Sequence, residues 1–309
     1  MPQVKIFSGT ASRYLAEKIA AAYGTTLGDL TISRFSDGEI GVHYNESVRG
    51  AEVFIVLSTF PPADNLMELM LLVDAAKRAS AHKVIVVMPY YGYARQDRKD
   101  KPRVSIGSKV LANAIQSVGA DRLMTCDLHA GQIQGFFDIP VDHLDGSAIF
   151  VPYLRSLNLG NDLIFASPDV GGVVRTRAFA KNFGAEMVVC DKHRKRANEI
   201  ASMQVIGDVE GMDVVLVDDM VDTAGTITKA AELLKQKGAK SVRAIATHPV
   251  LSGPAYERIE NSVLEELVVS DTIPLKQECS KIKVLSFAEL FARAINNVVT
   301  HESISSLFI

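Results

Sequence analysis

Residues 214–226 read VVLVDDMVDTAGT. Four apolar, mostly β-branched residues run into the adjacent aspartates Asp218 and Asp219. A third aspartate, Asp222, follows, and then a run of small residues with one glycine. A short run that is apolar on both faces predicts a buried strand of a parallel sheet. The stretch therefore predicts a buried strand that ends at carboxylates and a loop of small residues that opens a helix.

Outward from this stretch, β-branched runs alternate with helical patterns. One helix is predicted at 65–80 with Asn65 as its cap, and another at 226–237 with Thr226 as its cap and Gly238 after its end. Alternating strands and helices predict an α/β fold with right-handed crossovers. The first strand is predicted in MPQVKIFSGT, and the others at 53–57, 83–88, 122–126, 163–167, 187–190, 214–217 and 242–247.

The sequence also indicates an internal duplication. Residues 53–90 and 214–248 both give a strand, a loop, a helix and a strand at about the same length. We therefore predict two similar α/β domains, residues 1–146 and 147–287, with the segment 288–309 packing on the first. The loop of the first copy, LSTFPPAD, lacks the acidic pair and the glycine, so only the second copy is expected to carry the chemistry.

Composition bounds the function classes. The chain has 309 residues, 48% hydrophobic residues and a net charge of -3. These values exclude a disordered chain and give no reason to expect a nucleic-acid partner. No apolar run approaches the roughly 18 to 20 residues of a membrane span, and the N-terminus has no signal-peptide core. Cys126, Cys190 and Cys279 lie far apart, which favours free thiols in a reducing cytoplasm.

The loop of DDMVDTAGT has the composition of a ribose-phosphate site. Thr223, Gly225 and Thr226 lead into a helix, where backbone N–H groups and small residues can cradle a phosphate. Asp218 and Asp219, side by side, can accept hydrogen bonds from the two hydroxyls of a ribose. The alternative is an ordinary helix start with solvated aspartates. Three carboxylates near one loop repel each other, which disfavours that alternative.

Polar clusters follow five of the predicted strands. In an open parallel sheet, ligands bind beyond the carboxyl ends of the strands, so these clusters indicate a ligand-binding rim. The clusters are PYYGYARQDRKD (89–100), DLHAGQ (127–132), PDVGG (168–172), DKHRKRANE (191–199) and DDMVDTAGT.

The stretch VVLVDDMVDTAGT resembles the phosphoribosyl-diphosphate loop of type I phosphoribosyltransferases. The whole chain, from KIFSG to SSLF, is similar to ribose-phosphate diphosphokinases. The motifs that carry this resemblance are FSDGE (35–39), ESVRG (46–50), ARQDRKD (94–100), CDLHAGQIQGFFDIPVDHL (126–144), SPDVGG (167–172), DKHRKRANE and SGPA (252–255). The resemblance implies two parallel-sheet domains of the phosphoribosyltransferase-like fold. It also implies magnesium-dependent transfer of diphosphate from ATP to ribose 5-phosphate, for nucleotide biosynthesis.

The resemblance also implies roles for individual residues. Lys192 and Arg194 would be catalytic, and His129 and Asp169 would hold the metal. Phe35, Asp37 and Glu39 would reach ATP from a neighbouring subunit. The implied ATP-binding set is Phe35, Asp37, Gly38, Glu39, Arg95, Gln96, Lys99 and Asp100. The implied set for ribose 5-phosphate is Arg194, Asp218, Asp219, Asp222, Thr223, Ala224, Gly225 and Thr226.

From the residues alone, these motifs leave simpler alternatives open. DKHRKR could be a solvated basic turn, and FSDGE could be a turn with an acidic rim. A lone histidine after a strand, such as His129, more often forms hydrogen bonds than binds magnesium, which takes oxygen ligands.

The resemblance further implies a homo-oligomer, a hexamer, regulated by phosphate and ADP. Their site would lie between subunits near Ser47, Arg49, Arg103 and Ser305; the alternative is solvated surface arginines. Two other functions stay open at this point. A phosphoribosyltransferase would share the DDMVDTAGT loop but would not need ARQDRKD or FSDGE. A non-catalytic regulatory relative would keep the fold but disrupt the Lys192 segment, which is intact here.

Overall fold

A computed structural model describes residues 3–196 and 199–308. For residue 161 and for residues 192–196 and 199–202 it describes the backbone alone. The chain divides into two compact units: the residues up to 145 together with 287–308, and residues 146–286. Within the described ranges, no helix is long and apolar enough to cross a membrane.

The first unit is built on a five-stranded sheet whose neighbouring strands are all parallel. In spatial order its strands are β1 (Val4–Ser8), β4 (Glu52–Val56), β5 (Lys83–Met88), β6 (Arg122–Cys126) and β7 (Val141–Leu144). A separate antiparallel hairpin consists of β2 (Leu30–Arg34) and β3 (Ile40–Tyr44). The helices of this unit are α1 (Arg13–Tyr23), α2 (Asp64–Arg78), α3 (Gly107–Ser117) and α8 (Ala288–Thr300). The C-terminal helix α8 packs against α1.

The second unit is built on a seven-stranded sheet. In spatial order its strands are β10 (Glu199–Ile206), β9 (Met187–Arg196), β8 (Leu163–Ser167), β11 (Asp213–Val221), β12 (Ser241–Pro249), β13 (Leu267–Ser270) and β14 (Ile282–Leu285). Only the β9–β10 pair is antiparallel among the described strands of this sheet. Its helices are α4 (Ser147–Ser156), α5 (Val173–Phe183), α6 (Gly225–Gln236) and α7 (Ala255–Glu260).

The two sheets share one strand order. The series β1–β4–β5–β6–β7 corresponds, place by place, to β8–β11–β12–β13–β14. Along the chain, both units insert a two-stranded hairpin after the first strand of the series and before the second: β2–β3 in one and β9–β10 in the other. The predicted fold class, two similar parallel-sheet domains, is therefore confirmed.

The cores explain why the apolar runs form central strands. All five residues of β4 and all five of β8 are buried, as expected for strands covered on both faces by helices. Three strands were predicted with the bounds that the structure gives, namely β5, β6 and β8. The predictions were too short for β9 and β11, which continue into the polar residues of DKHRKR and DDMV.

Both predicted helix caps were wrong. Helix α2 begins at Asp64 after Ala63, and Asn65 lies inside its first turn. Helix α6 begins at Gly225 after Ala224, so Thr226 is its second residue, and no side chain caps either helix start. The segment DKHRKR, for which a solvated basic turn was the simpler alternative, is instead extended in β9 and pairs with β10.

Candidate functional site

The acidic pair lies at the point where the strand order of the second sheet reverses. From β8 the chain crosses to β9 on one side, and from β11 it crosses to β12 on the other, so the crevice between β8 and β11 is the expected ligand site. The β8–β11 ladder ends at Leu216–Ala166, whereas the β11–β12 ladder continues to Val221–Pro249. Asp218 and Asp219 therefore stand on a rigid strand that is still paired on its far side.

Three carboxylates share the electrostatic field of this crevice. Asp219 is buried, with 7% of its surface exposed, and Asp218 is half-buried. Burial raises the pKa of the Asp218 carboxyl well above its ordinary value, and the negative charges of Asp219 and Asp169 raise it further. The Asp219 N–H donates to Asp218 Oδ1 at 2.9 Å. The crevice thus holds acceptor oxygens whose mutual repulsion a polyhydroxyl ligand or a cation would relieve.

The loop after the acids has the geometry of an anion cradle. Ala224 takes a left-handed conformation with φ 59°, and α6 starts at the next residue without a side-chain cap. The N-terminal amides of a helix of this length favour an anion. Thr223 is exposed beside them. A groove of about 490 Å³ adjoins the loop between α6 and α7, and Gly225, Thr226 and Arg258 are among its lining residues.

The SPDVGG segment holds Asp169 in place after β8. Ser167 Oγ donates to the Asp169 carbonyl at 2.6 Å, and the Gly172 N–H donates to Asp169 Oδ1 at 3.2 Å. A Cβ at position 172 would lie 2.7 Å from Ser167 Oγ, so this turn requires glycine there. The segment therefore fixes one carboxylate on the β8 side of the crevice.

The predicted metal residues fall in different units. His129 is exposed after β6 in the first unit, and Asp169 is half-buried after β8 in the second. Among the residues whose side chains are described, no three His, Cys, Asp or Glu residues form a group that could hold a metal ion by themselves. Metal binding by His129 and Asp169 stays a prediction.

The predicted catalytic residues, Lys192 and Arg194, belong to β9. Lys192 pairs with Met203 and Arg194 pairs with Ile200 across the β9–β10 hairpin. Their side chains lie outside the part of the chain that the structure describes. Their catalytic role stays a prediction. The hairpin that carries them lies at the edge of the second sheet.

The predicted ATP residues of FSDGE form the tip of the β2–β3 hairpin. Phe35 is 62% exposed, and its N–H donates to the Glu39 carbonyl at 2.9 Å. The Glu39 N–H in turn donates to Asp37 Oδ1 at 3.1 Å. Arg34 ties this tip to the start of α2 through Asp64, at 2.7 Å. A rigid turn thus presents an exposed aromatic ring and two carboxylates.

The other predicted ATP residues lie between β5 and α3. Arg95, Gln96, Lys99 and Asp100 are all exposed. The Gln96 carbonyl accepts the Ser108 N–H at 3.2 Å, which anchors the segment to the start of α3. This arrangement places four polar side chains on the surface of the first unit.

The predicted regulatory residues are exposed on three separate segments of the first unit. The Arg49 N–H donates to Ser47 Oγ at 3.4 Å, and Arg49 Nη1 donates to Ser80 Oγ at 3.3 Å. Arg103 has φ 65° in the segment before α3, and Ser305 lies in the 3₁₀ turn Ile304–Leu307. A regulatory site at these residues stays a prediction.

Two arginines at the site were missed in the sequence. Arg175 Nη1 lies 3.7 Å from Asp219 Oδ1, and Arg258 Nη1 donates to the Thr223 carbonyl at 2.9 Å. Each follows a rim motif by a few residues, Arg175 after SPDVGG and Arg258 after SGPA. Their position could have revealed them in the sequence, because the first turn of a helix that follows a rim loop lies near the site.

Comparisons with known proteins agree with one another. Residues 4–119 match the model of the N-terminal domain of ribose phosphate pyrophosphokinase, and residues 184–309 match that of the phosphoribosyl synthetase-associated domain. The chain is 58% identical to a ribose-phosphate pyrophosphokinase of Porphyromonas gingivalis, over 98% of this chain and 97% of that protein. It is 57% identical to one of Wolinella succinogenes, over 99% of both.

A solved structure is similar over nearly the same length. The crystal structure of phosphoribosylpyrophosphate synthetase from Mycobacterium smegmatis matches with a TM-score of 0.92 and 37% identity. The match covers 97% of this chain and 99% of that chain. The likeness therefore extends over both units.

Proposed function

The chain belongs to the ribose-phosphate pyrophosphokinase family, and we propose that it transfers the diphosphate group of ATP to the C1 hydroxyl of ribose 5-phosphate. The products are 5-phosphoribosyl 1-diphosphate, which serves nucleotide biosynthesis, and AMP. One observation supports the assignment of sugar-phosphate binding to particular residues. At the crevice between β8 and β11, three carboxylates stand beside a helix start entered through a left-handed residue.

The second unit binds the sugar phosphate. Asp218 and Asp219 accept hydrogen bonds from the ribose hydroxyls, which disperses the charge that now raises the pKa of Asp218. The amides and hydroxyls of residues 222–226 hold the 5-phosphate at the start of α6. The strand pairing of β11 with β12 keeps the acids rigid, so little conformational entropy is lost when the sugar binds.

The first unit binds ATP. The exposed cations Arg95 and Lys99 suit its phosphates, because a guanidinium can grip two phosphate oxygens at once. Phe35, exposed at the tip of the hairpin, suits stacking on a base, with Asp37 and Glu39 as acceptors beside it. We assign this contact to a neighbouring subunit of a homo-oligomer, a hexamer.

Lys192 and Arg194 stabilise the transferred group. Diphosphate transfer spreads negative charge over non-bridging oxygens, and fixed cations lower the barrier most when they meet that charge in the transition state. Both residues belong to β9, and β9 pairs with β8, one of the two strands that border the crevice.

The residues present fit a magnesium ion. Burial and the negative charges of Asp219 and Asp169 raise the pKa of Asp218, and carboxylate oxygens are the ligands that magnesium prefers. We assign Asp169 and His129 as the residues that would hold it. When bound, the ion supplies positive charge to the phosphate oxygens of the substrates.

Regulation and location belong to the same proposal. Phosphate and ADP act as regulators at Ser47, Arg49, Arg103 and Ser305, with the two arginines as phosphate partners. The enzyme acts in the cytoplasm, in keeping with Cys126 and Cys190, which are buried thiols.

Two alternatives are disfavoured by specific observations. A phosphoribosyltransferase does not need a second sheet of the same order with an exposed ATP segment, yet the likeness to the family spans both units. A non-catalytic relative would lack the basic hairpin, yet the residues of DKHRKR are all present.

The test is an assay of AMP release from ATP with magnesium and ribose 5-phosphate. We expect AMP and 5-phosphoribosyl 1-diphosphate in equal amounts, and no AMP when the sugar phosphate is omitted. Failure to release AMP at any concentration of magnesium and inorganic phosphate would contradict the proposed reaction.

A further inference from the structure

Three successive carbonyls of the phosphate loop are held by one neighbouring segment. The Val221 carbonyl accepts the Leu251 N–H at 3.0 Å, and the Asp222 carbonyl accepts the Ser252 N–H at 3.0 Å. The Thr223 carbonyl accepts Arg258 Nη1 at 2.9 Å. We call residues 251–258, which supply all three donors, the clamp segment.

The clamp determines where the amides of the loop point. A peptide unit is planar and trans, so its N–H points away from its own carbonyl. Because the carbonyls of residues 221–223 face the clamp segment, the N–H groups of residues 222–224 point to the opposite side. All three amides belong to the segment 222–226 that is assigned to the 5-phosphate, and the α6 amides follow directly.

Arg258 is the one side chain among the three donors. It extends from α7, which begins at Ala255, and its bond to Thr223 closes the clamp next to the left-handed Ala224. A left-handed alanine is costly by itself, so the fixed carbonyl just before it helps to keep the loop in this conformation.

Gly225 provides the space that Arg258 occupies. A Cβ on residue 225 would lie 3.1 Å from Arg258 Nη1, closer than side chains ordinarily approach. Gly225 is not among the residues with positive φ, so its backbone conformation does not require glycine. A side chain at this position would therefore require the guanidinium to move by a few tenths of an ångström.

We propose that Arg258 is a positioning residue for the 5-phosphate of ribose 5-phosphate. It acts through Thr223: its hydrogen bond orients the peptide between Thr223 and Ala224 so that the next amide faces the phosphate. This inference rests on the proposed function, and it adds to that function a residue outside the predicted binding set. Since a pre-oriented cradle serves ground state and transition state alike, loss of Arg258 weakens sugar-phosphate binding more than it slows the chemistry.

The test compares Arg258→Met, which keeps the length of the side chain without its donors, with the wild-type enzyme. In the AMP-release assay, KM for ribose 5-phosphate is expected to rise about tenfold, the usual loss for a charged hydrogen-bond donor. Both kcat and KM for ATP are expected to stay within about twofold, because the clamp contacts neither ATP nor the reacting atoms. Arg258→Lys, which keeps one charged donor, should give an intermediate KM.

The matched control is Arg177→Met, which removes an exposed arginine from α5 of the same unit. It should leave all three constants unchanged. Arg258 is exposed, so its variants are expected to fold, and thermal unfolding checks this. If Arg258→Met fails to fold, Arg258→Lys decides through the same constants.

A binding measurement separates this inference from the proposed reaction. Ribose 5-phosphate is titrated by calorimetry onto protein saturated with magnesium and a non-hydrolysable ATP analogue. If the wild type binds the sugar phosphate but releases no AMP, the reaction is wrong, and the ratio of dissociation constants still decides the role of Arg258. An unchanged dissociation constant of ribose 5-phosphate in Arg258→Met would overturn the inference. Equal losses in kcat and in the affinities for both substrates would also overturn it, and so would a wild type that binds no ribose 5-phosphate.

Discussion

The loop after β4 and the loop after β11 occupy equivalent places in two sheets of the same strand order, yet they use their polar groups in opposite ways. In the first unit, the buried hydroxyls of Ser58 and Thr59 accept the N–H groups of Tyr90 and Gly92, at 3.0 and 2.8 Å. The first amides of α2 already donate to loop carbonyls, as the Asn65 N–H does to Pro62 at 3.2 Å. The polar groups of this loop thus form hydrogen bonds within the first unit.

The loop after β11 keeps an unfavourable charge arrangement instead. Asp218 is held beside Asp219 and Asp169 with a raised pKa, and Ala224 is left-handed. Such features destabilise the unliganded protein and are relieved by the ligand that fits them. One scaffold therefore gives an internally bonded loop in one copy and a binding loop in the other. The difference lies in a few residues and not in the fold.

The largest expected effect on activity comes from Lys192→Ala in the second unit. We predict a fall in kcat of about 10²-fold or more, because the lost cation acts mainly on charge in the transition state. KM for ribose 5-phosphate should change little. The matched control, Lys181→Ala on α5, removes an exposed cation of the same unit and should leave kcat unchanged. A large rise in KM with kcat preserved would show that the assigned role is wrong.

The next effect concerns the internally bonded loop. Thr59→Val removes the acceptor of the buried Gly92 N–H at nearly constant volume. An unsatisfied buried donor costs about 1 to 3 kcal/mol, so the free energy of unfolding of the first unit should fall by about 2 kcal/mol. Chemical denaturation measures this. Unchanged stability would mean that the hydroxyl contributes little to closing the loop.

A change in the binding loop should lower the affinity for the ligand and leave the stability of the fold unchanged. Asp222→Ala is expected to weaken ribose 5-phosphate binding about tenfold, the equivalent of about 1.4 kcal/mol. Calorimetric titration in the presence of an ATP analogue measures it. Asp74→Ala on α2, which removes an exposed carboxylate from the first unit, is the control and should not alter this affinity. Equal affinities for Asp222→Ala and the wild type would count against the cradle.

The smallest expected effect has the opposite sign from that of Thr59→Val. Asp218→Asn should raise the free energy of unfolding of the ligand-free protein by about 1 kcal/mol, because it removes a buried charge that Asp219 and Asp169 also repel. The folded protein holds this proton more tightly than the unfolded chain. Ionisation therefore costs the folded state stability as pH rises above the ordinary aspartate pKa of about 3.9.

The stabilisation by Asp218→Asn should accordingly be small near pH 4 and grow towards neutral pH. Thermal unfolding at several pH values measures the trend. A stabilisation that is constant with pH, or a loss of stability, would show that the burial and repulsion of the Asp218 charge are not the cause.

The sequence predicted the central strands and the acids at their ends, because burial on both faces leaves a clear apolar run. It failed where contacts between distant residues decide the conformation. Thr226 looks like a helix cap, but the helix begins at Gly225 because Ala224 is left-handed beside a carbonyl that Arg258 fixes. The hairpin β2–β3 was missed because its strands carry mixed polar and apolar residues, and β9 was cut short at its basic end.

Hydrogen–deuterium exchange of the backbone amides tests the central claim most directly, namely that the loop after β11 and not its counterpart after β4 binds the sugar phosphate. Exchange is compared with and without ribose 5-phosphate, in the presence of magnesium and an ATP analogue. Addition of the sugar phosphate is expected to slow exchange at residues 222–226 and to leave exchange at residues 58–63 unchanged. Slower exchange confined to residues 58–63, or no change at 222–226 while the ligand is bound, would contradict it.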